Sequence, residues 1–311
     1  MKCRRCRQEA EVALPSHTTG FCRECYFLYF RRQIERAIKK HGMFGPQDKI
    51  LVALSGGKDS LALMYELADQ GYDVTGLHVY LGIGRSSEQA RHLVESFCAK
   101  HGFKLMIADM PAEGLAIPEV KECISRPICS VCGKIKRHYF NRIALEHGFT
   151  ALATGHNLDD EVARLFANTL RWDAAYLSDQ GPTLSEDSGF ARKVKPLYRL
   201  TEFETAAYSF LRGIDYGVDP CPYSSGASFT SHKALWETLE EKSPGSKIHF
   251  YDGFLKSGRK AFQSLERESG VELSPCGECG SPTSGEICGV CLVRRRVQAR
   301  RQNQSATQIE S

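Results

Sequence analysis

Eight cysteines stand in Cys-x-x-Cys pairs near the two ends of this sequence, the spacing at which one backbone turn presents two thiolates to a single ion. Cys3, Cys6, Cys22 and Cys25 make two pairs with fifteen residues between them, and Cys276, Cys279, Cys288 and Cys291 make two pairs with eight between them. Both sets suit a tetrahedral Zn2+ held by four thiolates. Such a site is closed to substrate, so its zinc is expected to be structural, holding together segments too small to bury a core. Read without a metal, the same residues are free thiols.

A fifth pair, Cys129 and Cys132, has no second pair nearby, and Cys221 stands apart in Pro220-Cys221-Pro222. Three thiols are one short of a closed site. An iron-sulfur cluster held by three cysteines keeps one iron open to an exogenous sulfide or thiol, and that is the chemistry the shortage suggests. Two other readings stay open: a dithiol redox pair, and a metal-free relay with Cys129 and Cys221 as persulfide carrier and resolving thiol. Cys98, inside an amphipathic segment, reads as core packing, and Cys123 lacks such partners.

The second chemical signal is Ser55-Gly56-Gly57-Lys58-Asp59-Ser60, directly after an apolar run and directly before a helical pattern. Two glycines let backbone N–H groups turn toward an anion, Ser55 and Ser60 add hydroxyl donors, and the helix N-terminus adds partial positive charge. A pyrophosphate suits such a nest. The spacing is not the G-x-x-x-x-G-K-[ST] of a Walker loop, which argues against transfer of a γ-phosphate.

The hexapeptide resembles the PP-loop of the N-type ATP pyrophosphatases, a family that cleaves ATP between its α and β phosphates and adenylates a carbonyl or carboxyl oxygen. The resemblance implies that Ser55, Gly56, Gly57, Asp59 and Ser60 bind the β and γ phosphates. Further motifs are Ala153-Thr154-Gly155-His156-Asn157-Leu158-Asp159-Asp160-Glu161 and Val194-Lys195-Pro196-Leu197. With these and the ordered cysteine sets, nearly the whole chain is similar to the TtuA-type tRNA 2-thiouridine synthetases. These are relatives of the TtcA tRNA 2-thiocytidine enzymes, which usually lack the terminal fingers.

That resemblance implies ATP with Mg2+, a [4Fe-4S] cluster on Cys129, Cys132 and Cys221, two structural Zn2+, and tRNA as substrate. The uridine C2 oxygen would be adenylated before sulfur enters. It implies catalytic roles for Lys136, one turn after Cys132, as a positive charge at the α-phosphate, and for Asp160, which would position the uridine or act as a base. Ala53, His78 and Gly155, at strand ends where an α/β sheet binds ligands, would contact the base and ribose of ATP. The structural alternatives are a solvated Lys136, a helix-dipole role for Asp160 and a packed strand histidine at His78. The family further implies a ubiquitin-like sulfur carrier with a C-terminal thiocarboxylate, a T-loop rather than a wobble uridine, and a homodimer, common among the relatives. An amine-transferring relative would keep the loop and leave Cys129, Cys132 and Cys221 unexplained. A non-catalytic zinc-ribbon binder of nucleic acid would leave the loop unexplained.

Apolar runs at 50–54, 74–80, 104–108 and 150–154 alternate with helical patterns at 61–68, 87–100 and 133–146. Apolar strands interleaved with helices predict a doubly wound α/β fold with a parallel sheet buried on both faces. Phe27, Phe30, Ile34 and Ile38 recur at helical spacing over 26–42, and residues 172–192 read as a loop. The expected divisions are a zinc finger at 1–28, a linking helix at 29–48, the PP-loop catalytic domain at 49–220, a helical part at 221–273, a second finger at 274–293, and a basic, then disordered tail at 294–311.

The net charge of +4 is small, but the cations cluster at 2–7, 31–40, 134–137 and 294–301, as a polyanion partner requires. No stretch approaches the roughly 18 apolar residues of a membrane span, and no apolar leader follows Met1. A cytoplasmic location is expected, where thirteen cysteines are ligands rather than disulfides.

Overall fold

The computed structural model describes residues 1–184, 186, 189–224, 228–266 and 273–309. A small hairpin of β1 (Val12–Leu14) and β2 (Thr19–Phe21) precedes α1 (Arg23–His41). Then come β3 (Lys49–Ala53), α2 (Lys58–Asp69), β4 (Asp73–Tyr80), α3 (Gly84–His101), β5 (Lys104–Asp109), α4 (Ile117–Glu122), α5 (Ile128–Glu146) and β6 (Ala151–Thr154). Next are α6 (Leu158–Arg171), α7 (Ala174–Asp179), β7 (Thr183–Leu184), β8 (Lys193–Val194) and α8 (Glu202–Arg212). The chain ends with α9 (Ser228–Lys242), α10 (Ser246–Gly253), α11 (Arg259–Glu266), the pair β9 (Ser274–Pro275) and β10 (Pro282–Thr283), and α12 (Gly289–Ile309).

Six strands form one sheet in the order β5-β4-β3-β6-β8-β7, parallel except for β7. Alternate residues along β3 feed opposite cores. Ile50 and Val52 join Phe30 of α1, Leu61 of α2 and Tyr208 of α8, while Leu51 joins Ile135 and Tyr139 of α5 and Val297 of α12. Both faces are therefore covered, which is why the central strands are mostly apolar. This is the doubly wound sheet that the alternating pattern predicts, with a four-cysteine set at each end of the chain.

Three local features differ from the sequence reading. The first linking helix begins inside the finger, because Cys22 is the residue before α1 and Cys25 lies in its first turn. The stretch 172–192 holds α7, capped by Asp173 accepting from Tyr176 N at 3.2 Å, and β7, which pairs with β8; Ser185, Asp187 and Ser188 lie outside the described residues. The stretch read as a disordered tail is helical through Ile309. Arg300 and Arg301 pair with Glu122 and Glu119 at 2.8 and 2.7 Å, which fastens α12 to α4 just before that stretch.

Candidate functional site

The glycine turn follows β3 and leads into α2. Gly56 has φ +84°, a left-handed conformation that glycine adopts without cost. Ser60 Oγ accepts from Ser55 N at 3.2 Å and donates to Gly57 O at 2.9 Å, so the hydroxyls brace a concave run of backbone ahead of the helix. Asp59 accepts from Asn157 Nδ2 at 3.2 Å and from Thr205 Oγ1, and Lys58 Nζ reaches Asp59 at 3.2 Å and Glu202 at 2.8 Å. Burial opposes the charge on Lys58, but Asp59 and Glu202 outweigh it and raise its pKa. An anion nest with its own cation results.

Ala53 is the last residue of β3, and Gly155 follows β6, the neighbouring strand. A Cβ on Gly155 would stand 2.9 Å from Ser60 N, so only glycine lets this loop lie against the start of α2. His78, late in β4, is buried and its Nδ1 meets Leu54 O at 2.9 Å. A carbonyl only accepts, so Nδ1 carries the proton. Burial chiefly lowers the His78 pKa, leaving Nε2 as a buried acceptor with no partner among the described residues. An adenine amino group or ribose hydroxyl has the donor that such an atom lacks.

Asp160 completes a capping box with Asn157 at the head of α6 and also meets Lys233 Nζ at 2.7 Å. Burial is the largest influence on Asp160 and leaves its pKa raised despite Lys233. Lys233 joins Glu202 at 3.1 Å as well, so one ion-pair chain runs from Lys58 through Glu202 and Lys233 to Asp160.

Cys129 and Cys132 occupy the first turns of α5. Because α5 leads directly into β6 it runs against that strand, and its N-terminus lies at the carboxyl edge of the sheet, the edge that carries the glycine turn. The segment bearing Cys221 ties the two together. Gly217 N donates to Gly56 O at 2.9 Å, and six residues later Tyr223 O accepts from Cys129 Sγ at 3.0 Å. Six residues span at most about 21 Å. Burial raises the Cys132 pKa, Lys136 opposes this, and Cys221 and Cys129 add to it. The same Lys136 adds to the lowering at His78. Lys136 thus stands within electrostatic reach of both the thiols and the nucleotide side of the edge.

The two terminal sets each bring four sulfurs within 4.8 Å of one another, as one tetrahedral ion demands. Cys129, Cys132 and Cys221 do not come within 4.8 Å of one another as a set. In both fingers backbone N–H groups face sulfur, with Cys288 N at 3.1 Å from Cys276 Sγ. Burial opposes ionisation of Cys3 and Cys276, but such N–H donors prevail and bring each to about 6. Both sets end on a helix, Cys25 in the first turn of α1 and Cys291 in that of α12. Among the described residues every cysteine is free of disulfides; Cys98 is buried in the core and Cys123 is half-buried.

Sequence reading missed Lys58, Asn157, Thr205, Glu202, Lys233 and the tie between Gly217 and Gly56. Lys58 lies within the turn itself and the Asn-x-x-Asp cap is a local signal; Thr205, Glu202, Lys233 and Gly217 join the site only through folding, Gly217 lying 161 positions after Gly56.

A family model described as a PP-loop domain matches residues 28–226, and one described as the N-terminal LIM domain of the 2-thiouridine synthetase TtuA matches residues 2–27. The tRNA-5-methyluridine(54) 2-sulfurtransferase of Thermus thermophilus is 42% identical, covering 97% of this chain and 94% of that protein. Its namesake in Pyrococcus horikoshii is 40% identical, covering 94% of this chain and 93% of that protein. The solved structure of the U34-tRNA thiolase NcsA from Methanococcus maripaludis with its [4Fe-4S] cluster superposes with a TM-score of 0.76 at 26% identity, covering 95% of this chain and 96% of that one.

Proposed function

This chain belongs to the TtuA group of PP-loop tRNA 2-sulfurtransferases, and on that premise we propose that it adenylates the C2 oxygen of a tRNA uridine with ATP and replaces that oxygen with sulfur. The observation that supports the reading is the segment from Gly217 to Tyr223, which donates to Gly56 O at 2.9 Å at one end and accepts from Cys129 Sγ at 3.0 Å at the other, so the thiols and the glycine turn share one edge. One uridine placed there is open to both chemistries.

The turn from Ser55 to Ser60 holds the β and γ phosphates through backbone N–H groups and hydroxyls, with Lys58 as an added cation. His78 Nε2 and the backbone at Ala53 and Gly155 take the adenosine end. Asp59 would help hold Mg2+ beside the phosphates, as that ion prefers one or two carboxylates there. The uridine oxygen attacks the α-phosphorus, the bond to the β-phosphate breaks, and pyrophosphate leaves. Lys136 stabilises the charge that gathers on the α-phosphate oxygens. Asp160, fixed by its cap and Lys233, orients the uridine. Sulfur then bonds to C2 as the C2–O bond breaks, and AMP departs with the former uridine oxygen. Cys129, Cys132 and Cys221 would hold a [4Fe-4S] cluster, which would supply a binding site for the incoming sulfur.

Zn2+ is the ion we assign to the two four-cysteine sites, since four thiolates in a closed tetrahedron suit it. The relatives named for uridine 54 share more identity with this chain than the uridine 34 thiolase does, which favours the T-loop as target. A ubiquitin-like thiocarboxylate carrier fits as sulfur source, and a homodimer and a reducing cytoplasm fit as setting. Among the described residues no helix is long and apolar enough to cross a membrane.

The test is an anaerobic assay with ATP, sulfide and unmodified tRNA, read by AMP release and nucleoside mass spectrometry. The expected products are AMP and 2-thiouridine together. AMP-free thiolation, or no AMP and no thionucleoside from iron-loaded protein, would refute the reading.

A further inference from the structure

Between α5, α6 and β8 lies a group of cations that the proposed chemistry does not use. Asn141 of α5 donates to Gly189 O at 3.1 Å and accepts from Ala191 N at 2.7 Å, which fixes α5 alongside the segment entering β8. The helix and the strand run in opposite directions. Arg137, four residues before Asn141, is about 6 Å along the helix, and Lys193, two residues after Ala191, is about 6.6 Å along the strand in the same direction. The two come to one level. From the other side, Glu161 of α6 grips Lys195 Nζ at 2.7 and 2.9 Å. Arg164, about one turn on from Glu161, falls on the same face of α6 and acts on both Arg137 and Lys193.

Among the described residues none of these three cations has an ion-pair partner. The carboxylate that acts on Lys193, Glu161, is held by Lys195 and by Tyr251 Oη at 2.6 Å. Burial, followed by Lys195, Arg137 and Arg164, brings the Lys193 pKa down to about 8. Like charges gathered this way repel and favour an anion. Tyr176 stands close enough to Arg137 to act on it, and both Tyr176 and Trp172, at the turn from α6 to α7, are largely exposed. Cations beside exposed rings are what a nucleic-acid strand uses: phosphates take the charges and bases stack on the rings. The position suits the substrate too, because Arg137 follows Lys136 and Arg164 lies one turn beyond Asp160.

We propose that Arg137, Arg164 and Lys193 receive a backbone phosphate of the RNA strand beside the target uridine, with Tyr176 and Trp172 as the adjoining stacking surface. The inference rests on the tRNA reading given above. Its test is tRNA binding across a salt series by wild type and by the triple variant R137Q/R164Q/K193Q, with ATP binding measured alongside. Removing the cations is expected to weaken tRNA binding about tenfold and to lower the slope of log affinity against log salt by roughly one, as the loss of one phosphate contact requires, with ATP binding retained. A folded triple variant with wild-type affinity and slope overturns the proposal, as does one that loses ATP binding instead. Wild type that binds no tRNA sinks the tRNA reading itself, a result distinguishable from the first. A second measurement needs no variant: amine-selective acetylation of the wild type, mapped by mass spectrometry. Transfer RNA should protect Lys193, and inorganic phosphate should not. Equal labelling with and without tRNA, or equal protection by phosphate, refutes an RNA-phosphate site.

Discussion

Lys136 is one ammonium group serving two neighbours, and that makes its removal informative. Lys136→Ala should lower the rate of thiolation by about two to three orders of magnitude, the scale seen when one charge-stabilising donor is lost, while iron content and the thermal midpoint stay at wild-type values. A smaller effect than tenfold would return Lys136 to the role of a solvated surface cation. Asp160 makes a different prediction, since its carboxylate caps α6 and pairs with Lys233. Asp160→Ala should cost about 1 kcal/mol of stability, read by denaturant unfolding, in addition to slowing the reaction; a variant that only loses stability would leave Asp160 a cap. At this scale the sequence was informative wherever a motif is local. Ser55 to Ser60 and the cysteine spacings are contiguous signals; the cap at Asn157 is equally local but was not read. The unpartnered Nε2 of His78 was not legible, because it arises from the carbonyl of Leu54 on the neighbouring strand.

Helices set the chemistry by where they begin. Cys25, Cys132 and Cys291 all stand in the first turns of helices, but burial pushes all three thiols up, so the helix starts position these sulfurs without ionising them. Stripping metal from the N-terminal set should abolish hydrogen-exchange protection across β1 and β2, whose few apolar residues cannot hold a hairpin alone; protection that survives a chelator would show a metal-independent fold. The ion-pair chain joining α2, α8, α9 and α6 has a pH signature. Burial opposes ionisation of Glu202, but Lys58 and Lys233 hold it down to about 2. Its stabilisation is thus complete above the ordinary glutamate value of about 4.3 and is lost as pH falls toward about 2. Glu202→Gln should flatten that acid limb of a thermal-midpoint profile, and an unchanged limb would contradict the pairing. Strands β3 to β6 and helices α1 to α3 and α5 were legible from periodicity. The two-residue β7 and the short α7 were not, because elements that short carry no period and are held by pairing with β8 and by the Asp173 cap.

Across the whole molecule, the parallel sheet brings three segments distant in sequence to one edge: the turn after β3, the head of α5, and the strap from Gly217 to Tyr223. The fold class was readable because alternation of apolar runs and helices admits few topologies. The strap was not, since nothing in residues 213–224 announces that one end caps the glycine turn and the other touches Cys129. A single measurement tests the central claim most directly: nucleoside mass spectrometry of tRNA after one turnover, comparing iron-loaded and iron-stripped protein with ATP and sulfide present. Adenylation and sulfur delivery at one base predict 2-thiouridine from the iron-loaded protein alone, in amounts equal to AMP. Thionucleoside formed at an undiminished rate by the iron-stripped protein would contradict it.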